Sequence, residues 1–168
     1  IRDQEEAGID VITDGEMRRA GFFTAEFYRH LSGVRALPSD RVLGAGGHDQ
    51  QHRFEVLEDI AAPNGLGVVG EYTAARERTT RSLKVTLPGP YTLSGRLRTG
   101  PGEVYATRVA AAEAFVPILQ AELRGLVAAG ATIIQVDEPS PAIHPDAPAD
   151  FAALFNAAIE PAVGKARL

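Results

Sequence analysis

Three runs of aliphatic and β-branched residues carry the strongest pattern in the chain: Ile9-Asp10-Val11-Ile12-Thr13, Leu83-Lys84-Val85-Thr86-Leu87 and Thr132-Ile133-Ile134-Gln135-Val136. Such runs, bounded by Gly and Pro, predict strands. Polar or helical-period stretches separate them. Residues 2–7 read as helix, with Gly8 as the stop. Residues 18–31 read as a second helix, with Phe22, Phe23, Phe27 and Leu31 toward one side. The best helix spans 103–129, with Val109, Phe115, Val116, Leu119, Leu123 and Leu126 as its apolar positions. Pro117 is expected to kink or divide it, and Gly130 to close it. A last helix is expected over 151–163, capped by Asp150.

Between 32 and 64 the periodicity breaks, punctuated by Gly33, Pro38, Gly44, Gly46, Gly47 and Pro63. This is an expected excursion, in which 42–43 and 54–57 pair as a hairpin. Residues 68–72 read as another short extended piece and 74–80 as a short helix. There is a faint internal repeat. Glu6-Ala7-Gly8-Ile9-Asp10-Val11-Ile12 is matched by Ala128-Ala129-Gly130-Ala131-Thr132-Ile133-Ile134, and an acid, Glu16 or Glu138, stands eight residues past each Gly. Strands alternating with helices imply a parallel sheet, and near-continuous apolar strands imply burial on both faces.

Parallel α/β sheets bind ligands at the carboxyl ends of their strands. All three strands here end in marked residues: Asp14-Gly15-Glu16, Pro88-Gly89-Pro90 and Asp137-Glu138-Pro139. Carboxylates in such places either accept hydrogen bonds from a ligand or cap the next turn. Arg18 and Arg19 either bind an anion or pair with nearby acids. Spacing alone names no reaction.

Composition narrows the field. Apolar residues make up 45% and charged residues 23%, a globular balance. A net charge of −5 speaks against a nucleic-acid partner. No apolar run approaches the ~20 residues that span a bilayer, so no membrane partner is expected, and without a secretory signal the cytoplasm is the default. There is no cysteine, hence no thiolate metal site among these residues. His48 and His52 stand four apart beside Gly46-Gly47 and read as solvated loop; His144, among prolines, reads the same way. Gly44-Ala45-Gly46-Gly47 lacks the Lys-Ser/Thr of a phosphate loop. Ser94 and Ser140 have no base at a defensible spacing.

The segment Ala7-Gly8-Ile9-Asp10-Val11-Ile12-Thr13-Asp14-Gly15-Glu16-Met17-Arg18-Arg19 resembles the second barrel strand of cobalamin-independent methionine synthases. Val85-Thr86-Leu87-Pro88-Gly89-Pro90-Tyr91-Thr92-Leu93 resembles their third-strand turn. The run Ala129 through Pro139, with its Ile134-Gln135-Val136-Asp137-Glu138-Pro139, resembles their fourth-strand signature. All three occur in family order.

The resemblance implies a partial (β/α)8 barrel, residues 1–168 forming one domain cut at both ends, with the excursion at 32–64 beside it. It implies zinc-dependent methyl transfer to a thiol such as homocysteine, with Glu16 and Asp137 holding the amino group of this small-molecule substrate. Asp14, Arg18, Gly89 and Glu138 would complete the pocket. The family's zinc ligands, a His and Cys residues with a further ligand, lie on later strands. No metal ligand and no catalytic residue is therefore expected here, and the isolated chain is expected to be inactive and to associate through open sheet edges. Methylfolate-using members carry a Trp where this chain reads Leu93-Ser94-Gly95-Arg96, which counts against that donor. A related thiol alkyltransferase, an enzyme like uroporphyrinogen decarboxylase, or a non-catalytic barrel remnant acting as a binding subunit are the alternatives.

Overall fold

The computed structural model describes residues 1–19, 26–38, 53–140 and 151–168. The three predicted strands form and lie side by side, all parallel. They are β1 (Val11–Ile12), β4 (Ser82–Pro88) and β5 (Ile133–Asp137), in the order β1-β4-β5. This is an arc of a barrel wall. The first strand is shorter than predicted. Its ladder to β4 runs only from Val11↔Ser82 to Ile12↔Leu83. Beyond it, the backbone of Thr13 is satisfied by a side-chain amide instead: Gln4 of helix α1 (Arg2–Glu6) donates from Nε2 to the Thr13 carbonyl at 2.8 Å, and its Oε1 accepts the Thr13 N–H at 2.9 Å. The outer edge of β5 is covered in part. Arg167 pairs with it in parallel, through Arg167 N–H to Thr132 O and Ile134 N–H to Arg167 O, both 2.9 Å.

The β4 strand is not apolar on both faces. Leu83, Val85 and Leu87 are buried, whereas Lys84 and Thr86 alternate with them and face the other way. In register beside them stand Ile133 and Gln135, so the arc has one oily face and one partly polar face. The oily face belongs to a continuous core with Val68, Tyr72 and Ala75 of α2 (Val68–Arg76) and Phe115, Leu119, Leu123 and Leu126 of α4 (Arg108–Ala128).

Several expectations are corrected. Residues 68–72 are not extended but open helix α2. Glu122 of α4, 3% exposed, makes that helix possible: its carboxylate accepts the N–H groups of Leu66 at 2.7 Å and Val69 at 2.9 Å. The α4 helix starts at Arg108 rather than 103, because the Thr107 hydroxyl accepts the Ala110 N–H and caps it. Pro117 does not divide it; the helix runs unbroken through 21 residues.

In the excursion, β3 (Phe54–Ala61) pairs antiparallel with β2 (Ser32–Ala36); residues 42–43, the expected partner, lie outside the described residues. The Gly33 backbone stands at φ 82°, and a Cβ there would lie 2.8 Å from the carbonyl oxygens of Glu58 and Asp59, so the bulge in β2 demands glycine. Of the predicted helix at 18–31, Glu26–His30 forms a 3-10 turn and Arg18 an ordinary turn; residues 20–25 lie outside the described residues. Phe151–Ile159 forms helix α5, and the predicted cap Asp150 lies outside the described residues.

Tyr28 ties the excursion to the core. Its ring stacks on Phe54 at 4.4 Å and meets Phe115 edge-on, and its hydroxyl donates to the Leu93 carbonyl of the short helix α3 (Pro90–Ser94). Burial raises the pKa of that hydroxyl.

Candidate functional site

The polar face of the arc gathers charged groups at the carboxyl end of the strands. Glu16 reaches it from the turn after β1. There the Asp14 carboxylate accepts the Glu16 N–H at 3.0 Å and the Thr13 hydroxyl accepts the Gly15 N–H at 3.1 Å. These two bonds hold Glu16 at φ 55°, the one non-glycine residue with positive φ among the described residues. A left-handed residue with a Cβ costs on the order of 1–2 kcal/mol, and such strain collects at functional sites.

One oxygen of Glu16 is tied back to the scaffold. Oε1 accepts from the Thr86 hydroxyl at 2.6 Å and from Arg19 Nη1 at 2.8 Å. The other, Oε2, has no hydrogen bond among the described residues. Asp137 repeats the arrangement on the next strand. Its Oδ1 accepts from Gln135 Nε2 at 2.6 Å, while its Oδ2 has no partner among the described residues. Gln135 is oriented in turn by Lys84, whose ammonium donates to its Oε1 at 2.6 Å. Thr86 and Gln135 are direct partners across the β4–β5 ladder. The two half-open carboxylates are thus anchored to adjacent positions on adjacent strands.

The other residues singled out in the sequence fall into three groups. Asp14 shapes the turn that presents Glu16 and borders a cleft with Glu71, Tyr72 and Lys84. Arg18 is exposed and makes no ion pair among the described residues. Glu138 and Gly89 form a structural joint. Both Glu138 oxygens are engaged: Oε2 accepts the Tyr91 N–H at 2.9 Å, and Oε1 accepts the Thr92 N–H at 2.6 Å and the Thr92 hydroxyl. Gly89 lies against that carboxylate and donates its N–H to the Asp137 carbonyl at 2.8 Å. His48, His52 and His144 lie outside the described residues.

Sequence reasoning passed over Thr86, Glu71, Gln135 and Lys84 and left Arg19 undecided. Three of the five were signalled by polar residues alternating within strand runs. Glu71 carried no signal, because its partner Arg19 is 52 residues away.

Burial pushes the Glu138 carboxyl above its usual range, against the opposing pull of its hydrogen bonds from Thr92 and Tyr91 and of the Arg108 charge. The folded pKa thus exceeds the unfolded one. The native state binds this proton more tightly, and its contribution to stability is full below the ordinary value of 4.5 and lost as pH rises through the raised one. Urea denaturation across that window is expected to show wild-type stability falling, relative to that of the Glu138→Gln variant, as pH rises. Parallel slopes in the two proteins would refute the assignment.

The family model described as the catalytic domain of cobalamin-independent synthases matches residues 1–167. A methionine synthase of Sulfolobus acidocaldarius is 38% identical over 146 residues, 86% of this chain and 40% of that protein. One of Pyrococcus abyssi is 34% identical over 147 residues, 87% of this chain and 41% of that protein. Among solved structures, a B12-independent methionine synthase from a Shewanella species, in complex with selenomethionine, superposes with a TM-score of 0.71 at 31% identity, over 97% of this chain and 45% of that one. The chain spans about two fifths of the length of the curated relatives it matches.

Proposed function

This chain belongs to the family of cobalamin-independent synthase catalytic domains, and from that premise we propose that the whole protein transfers a methyl group to the thiol of an amino acid of the homocysteine type. Within it, Glu16 and Asp137 hold the substrate's ammonium group. The observation that carries this reading is the pair of half-open carboxylates. Each has one oxygen fixed by a side chain of the sheet and one oxygen that, among the described residues, is free to accept. Strands in a sheet stand ~4.8 Å apart, so carboxylates anchored on neighbouring strands suit a single ammonium between them. Selenomethionine in the Shewanella relative is a ligand of the same amino-acid type.

Zinc would activate the thiol in such a protein by favouring its thiolate. The described residues do not fit that metal. No group of three or more His, Cys, Asp or Glu comes together among them, and the chain has no cysteine. The role proposed for these residues is therefore limited to binding and orienting the amino end of the substrate.

The test is substrate affinity in the full-length protein. Glu16→Gln and Asp137→Asn keep the shape of each side chain but turn a charged acceptor into a neutral amide. A charge-assisted hydrogen bond is worth roughly 1.5–3 kcal/mol. Titration calorimetry should therefore show each variant binding homocysteine about 10- to 100-fold more weakly. Wild-type affinity in both would return the two carboxylates to a purely structural role.

A further inference from the structure

Arg19 is an enclosed charge beside the site, its side chain 4% exposed, and it is shared between two acids. One edge of the guanidinium faces Glu71 of α2: Nε donates to Oε1 at 3.2 Å and to Oε2 at 3.1 Å, and Nη2 donates to Oε2 at 2.8 Å. The same Nη2 reaches the Thr86 carbonyl at 2.7 Å, on the stretch of β4 that the short β1 leaves unpaired. Only Nη1 turns to Glu16. The plane lies over Phe27, 5.0 Å from its centroid, which closes one face to water.

A buried arginine paired with Glu16 alone would cancel the charge that an ammonium needs. Glu71 changes that sum: one cation and two carboxylates leave one net negative charge. Glu71, at 14% exposure, is the more enclosed acid, and Glu16, at 36%, is the one open to a ligand. We propose that Glu71 and Arg19 form a charge-cancelled clamp that positions Glu16 while leaving its negative charge available to the substrate ammonium. Both are positioning residues, acting through Glu16. The inference rests on the reading of Glu16 given above.

The clamp acts on recognition of the amino group, so the readout is discrimination: the affinity of the full-length protein for homocysteine divided by that for its desamino analogue, mercaptobutyrate. Glu71→Gln keeps the shape of the side chain but lets Arg19 neutralise Glu16. Homocysteine affinity should fall roughly tenfold, with mercaptobutyrate affinity held within about twofold. Glu71→Asp, which keeps the charge, should retain most of the discrimination. Equal losses for both ligands, or unchanged discrimination in Glu71→Gln, would overturn the clamp. Should Glu71→Gln not fold, Glu71→Ala gives the same reading. It too leaves Arg19 to Glu16 alone, so discrimination must fall, and its persistence counts against the proposal. A wild type that does not discriminate, or a Glu16→Gln variant that discriminates as well as wild type, removes the reading of Glu16 itself. Discrimination lost in Glu16→Gln but intact in Glu71→Gln removes only the clamp.

Discussion

Replacing Glu122 with alanine is expected to destabilise the full-length protein by about 3–5 kcal/mol. The side chain leaves α4 and ends at the start of α2, where Oε2 takes the Leu66 N–H and Oε1 the Val69 N–H. The first N–H groups of a helix have no partner within it. Here Gly67, in the N-cap position, has no side chain to offer. Truncation would leave one buried and one half-buried donor unsatisfied, at about 1–3 kcal/mol each, and open a void beside Leu66, which is 2% exposed. Glu122→Gln should cost less than alanine but still more than about 1 kcal/mol, because its amide NH2 would confront one of the two donors. Glu113, exposed on the same helix, is the control, and its alanine variant should stay within about 0.5 kcal/mol of wild type. Urea denaturation compares them. A Glu122→Ala variant as stable as Glu113→Ala would mean that the N-terminus of α2 is satisfied by other means.

The same contact explains which parts of the fold the sequence could announce. The three strands were legible because their signal is local: an aliphatic run, a glycine before it and acids or prolines after it. Their parallel order followed from the helix between β4 and β5. The α2 helix was hidden because Val68-Val69 and Gly70 favour an extended reading, and the carboxylate that caps it lies 56 residues downstream of Leu66. The second arm of the hairpin was legible, but β2 at Ser32–Ala36 was not, since the bulge at Gly33 breaks the alternation that marks a strand. At the candidate site, position was legible and division of labour was not. Glu138 looks like Glu16 in the repeat, each eight residues past a glycine, yet one has both oxygens consumed by α3 and the other has one oxygen open among the described residues. Only three-dimensional partners separate them. The strand length of β1 was overestimated for a related reason: Gln4, nine residues from Thr13, replaces the ladder with its own amide.

Gly89→Ala should damage both stability and substrate affinity, and for a reason that is not backbone strain. Gly89 sits at φ −77° and ψ 169°, extended geometry that alanine adopts freely. What it lacks is room. A Cβ at this position would lie 2.3 Å from Glu138 Oε2 and 2.7 Å from its Cδ. That carboxylate cannot swing away cheaply, because it holds the N–H groups of Tyr91 and Thr92 at the start of α3. Expelling it orphans those donors, and crowding a packed site costs about 1–3 kcal/mol in its own right. A total loss of about 3 kcal/mol is expected. The disturbance also reaches Asp137, whose carbonyl is bonded to the Gly89 N–H. Homocysteine should therefore bind the full-length variant at least roughly tenfold more weakly, in line with the 1 Å sensitivity of positioned groups. A double-mutant cycle isolates the cause. In a Glu138→Ala background the obstructing carboxylate is gone, so adding Gly89→Ala should cost less than about 1 kcal/mol, far below its cost alone. Additive losses would show that glycine is needed here for some reason other than the close approach of Glu138, and the joint between β4, α3 and Asp137 would have to be explained afresh.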